Sequence, residues 1–67
     1  MKRYAVIVNN YSNERFEVID KVAEMDIYVY FKKQGCVLYE SDDRDACIKK
    51  AEHFKIEPKF FRFFSLN

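Results

Sequence analysis

The sequence predicts a ferredoxin-like α+β domain, a four-stranded antiparallel sheet with two helices on one face, in the order β-α-β-β-α-β. Three observations lead there. "KRYAVIVN" is apolar and β-branched with no helical stripe. "IYVYF" and "CVLYE" are β-rich runs separated by "KKQG". "SDDRDACIKKAEHFK" opens on capping residues and then places Cys47, Ile48, Ala51 and Phe54 on one stripe. These are signals of a strand, a hairpin and a helix, respectively. Two β-α-β halves of this kind close most simply into a split β-α-β sandwich. The 67 residues make one domain, 1–67, with a small core.

Taken in order, the first strand is apolar nearly throughout and reads as a central strand covered on both faces. Arg3 favours Val6 and Val8 as its core side, with Ala5 and Ile7 on the side away from the helices. "NNYSN" turns, and Asn10 or Ser12 can cap a helix begun there. From Asn13 to about Met25, Phe16, Ile19, Val22 and Ala23 recur at three- and four-residue spacing, and Val18 widens the stripe. That spacing predicts an amphipathic helix, with Glu14, Glu17, Lys21 and Glu24 mostly outside the stripe. The β-branched content of "RFEVI" supports a competing reading, a strand hairpinned to the first, and both stay open. "IYVYF", "KKQG" and "CVLYE" then read as strand, turn and strand. Asp42, Asp43 and Asp45 suit the positive end of the next helix. Pro58 punctuates that helix, and "KFFRFFSL" forms the last strand.

Side chains alternate along a strand, so the hairpin fixes which residues share a face. With Gln34 and Gly35 as the turn, Tyr30 opposes Tyr39, and a four-residue loop from Lys32 to Gly35 keeps the same parity. Ile27, Val29, Phe31, Cys36 and Leu38 form a wholly apolar face that belongs under the helices. Tyr28, Tyr30, Val37 and Tyr39 point the other way, with Lys32 if the strand extends that far. Arg62 in the last strand is expected on the open side, which brings Phe60 and Phe64 with it. The candidate binding residues are therefore Tyr28, Tyr30, Tyr39, Phe60, Arg62 and Phe64.

Three uses compete for such a face. Tyrosines on a half-exposed sheet make cross-strand pairs worth about 0.2–1 kcal/mol each. Tyr, Phe and Arg are also the residues enriched at protein interfaces, and a broad apolar patch is unusual on a monomer. Single-stranded RNA or DNA could stack on the same aromatics, with Arg62, Lys32 and Lys59 on phosphates. The expectation is a non-enzymatic protein-binding module, self-associating or acting as an inhibitor or regulator of a larger machine. Single-stranded nucleic acid binding is the alternative. RNA-recognition motifs share the expected element order, yet their signatures are missing. "KQGCVLYES" has Cys36 and Val37 where aromatics belong, and "VIVNNY" lacks a stacking aromatic.

Composition narrows the remaining classes. A net charge of +1 argues against a binder that rests on many phosphate contacts. Cys36 and Cys47 are the only cysteines and form no C-x-x-C, which points to two free structural thiols. With His53 they are the only soft ligands, and Cys47 and His53 fall on different helical faces, so no metal is expected. His53 itself reads as a solvent-facing residue near the negative end of its helix. "SDDRD" lacks the glycine and distal glutamate of a calcium loop, and Gly35 alone makes no phosphate loop. A Cys47 nucleophile would stand about 9 Å along the helix from a His53 base. No enzyme and no cofactor are expected. Lys2 and Arg3 precede an apolar run too short for a secretory signal, and no run approaches a membrane span, so the chain is expected in the cytoplasm.

Overall fold

The computed structural model describes residues 2–11 and 14–56. The elements are β1 (Tyr4–Val8), β2 (Phe16–Asp20), α1 (Met25–Lys33), β3 (Val37–Ser41) and α2 (Arg44–Ile56). They build a three-stranded sheet of order β2-β1-β3, with both neighbours antiparallel to β1. Among the described residues, the expected four-stranded ferredoxin-like sheet is thus corrected to a three-stranded antiparallel sheet with two helices, an α+β arrangement. Pro58 and the expected strand "KFFRFFSL" lie outside the described residues.

Two elements exchange identity relative to the expectation. Residues 16–20 form a strand where the apolar spacing predicts a helix over 13–25, so the competing hairpin is the one observed. Pairing decides this: Val8 faces Phe16, Val6 faces Val18 and Tyr4 faces Asp20, which satisfies one edge of a buried strand. "IYVYF", expected as a strand, lies instead within α1. As a helix it places Tyr28 and Phe31, three residues apart, together on the sheet. Asp26 in its first turn and Lys32 and Lys33 in its last complement the helix dipole.

"KKQG" is not a hairpin turn but the end of α1. Gly35 has φ +71°, a left-handed conformation that costs glycine nothing. Its N–H donates to the Lys32 carbonyl at 3.1 Å, and the Cys36 N–H donates to the Phe31 carbonyl at 2.9 Å. These two bonds make a Schellman cap. At the other helix, the Asp43 side chain caps α2 by accepting from the Asp45 N–H at 3.0 Å. Ser41 Oγ accepts in turn from the Asp43 N–H. Asp42 takes a different role, accepting from the backbone N–H of Arg3 at 3.1 Å.

The helices lie on opposite faces of the sheet, which corrects the expectation that both share one. Ala5, Ile7 and Ile19 pack with Tyr28 and Phe31 under α1. Val6, Val8 and Phe16 pack with Cys47, Ala51 and Phe54 under α2. The reason lies in β1, whose residues 5–8 are all at most 2% exposed. A strand apolar on both sides needs cover on both sides. On β3 the register slips between Val6, which pairs with Tyr39, and Ile7, which pairs with Val37. Leu38 is the extra residue of this bulge. Leu38 and Tyr39 consequently both pack on the α2 side, while Val37 packs on the α1 side.

Candidate functional site

The tyrosines expected on one open face are distributed over three environments. Tyr28, on α1, is buried against the sheet, and its hydroxyl donates to Glu40 Oε2 at 3.0 Å. Tyr30, on the same helix, is 57% exposed and meets Phe31 edge-on with ring centroids 5.2 Å apart. Tyr39, on β3, is half-buried against the α2 layer, with Lys50 Nζ 5.2 Å from its ring centroid. Phe60, Arg62 and Phe64 lie outside the described residues. The structure therefore does not join Tyr28, Tyr30 and Tyr39 on one surface, because Tyr28 and Tyr30 point in different directions from α1 and Tyr39 packs on the opposite side of the sheet.

A different apolar surface stands on α1. Met25, Ile27, Val29 and Tyr30 are each at least 40% exposed, and Val22, in the turn leading into the helix, is 63% exposed. Helical spacing places Met25, Val29 and Tyr30 along one outward stripe, with Asp26 and Lys33, both exposed, among them. Asp20 positions the start of this segment. Its side chain accepts from the N–H groups of Val22 at 2.9 Å and Ala23 at 3.4 Å, and Glu24 reaches back to the Asp20 N–H at 3.2 Å. Arg3 grips the same Asp20 carboxylate through Nε and Nη2, the shortest contact being 2.8 Å. Hydrogen bonding from Arg3 is the main reason that Asp20 titrates at about 2, well below an ordinary aspartate.

Beneath α1 lies a charged cluster. Lys21 is 6% exposed, and its Nζ donates to Glu40 Oε1 and sits 4.5 Å from the Tyr28 ring centroid. Lys32 Nζ donates to the Tyr28 hydroxyl at 3.2 Å. The hydrogen bond to Glu40 raises the Lys21 pKa, and the same bond lowers that of Glu40. Both shifts hold the groups charged and move them away from neutrality, the reverse of what proton exchange near pH 7 requires. Among the described residues, no buried side-chain N or O atom lacks a hydrogen-bond partner. The chemistry of this cluster is positional: it pins α1 to β3.

On the far side, Tyr39, Ala46, Lys49, Lys50 and His53 line a shallow basic groove beside α2. Among the described residues, no group of three or more His, Cys, Asp or Glu side chains could hold a metal ion. None of their helices is long and apolar enough to cross a membrane. Cys36 and Cys47 are both free, and burial pushes the Cys47 thiol pKa up. Sequence reasoning missed Met25, Ile27 and Val29 as surface residues. Their exposure emerges only once residues 25–33 are helical, because "MDIYVYFKK" then carries more apolar side chains than its sheet-facing side can hold. No protein-family model, curated protein or solved structure matches this chain.

Proposed function

We propose that this protein is a small, non-enzymatic protein-binding module whose contact surface is the outward side of α1. One observation carries the reading: among the described residues, α1 packs Tyr28 and Phe31 on the sheet but leaves Met25, Ile27, Val29 and Tyr30 exposed around Asp26 and Lys33. Contiguous exposed apolar side chains on a short chain mark a surface that another molecule covers. Tyr30 belongs to that surface, Tyr28 and Tyr39 brace the elements behind it, and the reading does not depend on Phe60, Arg62 or Phe64. Binding without catalysis fits an inhibitor or regulator of a larger cytoplasmic assembly.

Tyr30→Ala and Val29→Glu test the proposal. Both should weaken association, the glutamate more strongly, with little dependence on salt. Light scattering and partner capture on variants of unchanged circular dichroism provide the readout. Unaltered association in both variants would remove α1 from consideration. Single-stranded nucleic acid has less support. The groove of Tyr39, Lys49, Lys50 and His53 is basic, but the Lys50 ammonium lies over the Tyr39 ring where a base would stack. Oligonucleotide affinity that falls steeply with salt, and falls again in Lys49→Ala, would favour that reading instead.

A further inference from the structure

Resting on the α1 reading above, we infer that the molecule covering this helix is a second copy of the same chain, packed α1 against α1 and antiparallel across a two-fold axis. The charge order along the outward stripe supports this. Asp26 stands in the first turn and Lys33 in the last, both exposed, with Val29 and Tyr30 between them. Asp26 and Lys33 are equidistant from the midpoint between Val29 and Tyr30. A two-fold axis through that midpoint therefore sets Asp26 against Lys33 of the second copy, and Lys33 against its Asp26. The same operation sets Val29 against Tyr30. One patch thus meets itself with every charge opposed, which is the condition for an isologous interface.

Parallel packing would instead place Asp26 on Asp26 and Lys33 on Lys33, and would align the two helix dipoles unfavourably. Lys32 is not part of the stripe, because it is engaged with the Tyr28 hydroxyl. The apolar centre supplies the attraction, while the two charge pairs at its rim select the orientation. A nine-residue helix offers less area than a standard interface, so the dimer should dissociate in the micromolar range.

The experiment is sedimentation equilibrium on the full chain and on two charge variants, Asp26→Lys and Lys33→Asp. Alone, each variant presents like charges at both rim contacts and should dimerise about tenfold more weakly than the parent. Mixed in equal amounts, the two should form a heterodimer of near-parental affinity. The lysine introduced at position 26 of one variant then meets the aspartate introduced at position 33 of the other. At the second contact the unaltered Lys33 meets the unaltered Asp26. Recovery on mixing also shows that the variants are folded. A parent chain that stays monomeric to millimolar concentration overturns the inference, as do single variants that dimerise like the parent. In the first case the broader α1 reading is judged separately, by whether Val29→Glu abolishes capture of a different protein.

Discussion

Lys21 shows how one buried charge can constrain several elements. It follows β2, donates to Glu40 on β3 and lies against the ring of Tyr28 on α1. Glu40→Gln would leave its ammonium buried without a counter-charge, at a cost on the order of 3 kcal/mol in urea unfolding. Lys21→Met should cost less, because the apolar stem still packs and Glu40, 26% exposed, can turn to water. A greater loss in Lys21→Met would show that packing, not charge, dominates here. The raised Lys21 pKa contributes stability that is complete below about pH 10 and is lost as pH rises through the folded value. The lowered Glu40 pKa contributes stability that is present above the ordinary value of 4.5 and is lost as pH falls through the folded value. Asp20 acts in the second sense: its contribution is present above pH 3.8 and fades towards its folded value of about 2. Arg3→Ala should therefore raise the midpoint of acid unfolding, monitored by far-ultraviolet circular dichroism. An unmoved midpoint would mean that the backbone donors of Val22 and Ala23 hold the carboxylate unaided.

At the scale of elements, Gly35 has the clearest single consequence. An added Cβ there meets nothing within 4 Å, so Gly35→Ala tests conformation alone. The left-handed φ predicts a loss of about 1 kcal/mol in urea unfolding, and Gly35→Asn should lose less. Equal losses would point to some other demand on this residue. The same glycine shows why α1 is hard to read from sequence. A left-handed glycine closes a hairpin as well as a helix, and "IYVYF" satisfies strand propensity, so both local signals agree on the wrong element. β2 is obscured for the opposite reason. Covered on both faces, it loses the alternation of a surface strand, and Phe16 and Ile19 fall at a spacing that imitates a helix. By contrast, β1 and α2 are legible, the first from an unbroken β-branched run, the second from Asp43 and the Cys47, Ala51 and Phe54 stripe. Of the site, Tyr30 is legible as a surface aromatic. Met25, Ile27 and Val29 are not, because their exposure follows from the helix they stand on and the layer they occupy.

For the molecule as a whole, the central position of β1 has a consequence in the order of synthesis. Its residues emerge from the ribosome before both partners, and the partner on its second edge begins only at Val37. Until then "AVIV" can be paired by β2 alone, so a row of donors and acceptors beside apolar side chains stays available to any neighbouring nascent chain. A fragment of residues 1–35 retains β2 and α1 but lacks β3, and it should pellet where the full chain stays in solution. If that fragment remained soluble and monomeric, α1 would be shielding the edge before β3 arrives. The hydrogen bond from the Arg3 N–H to Asp42 spans 39 residues, so β1 gains its second edge only when the chain has returned across that distance.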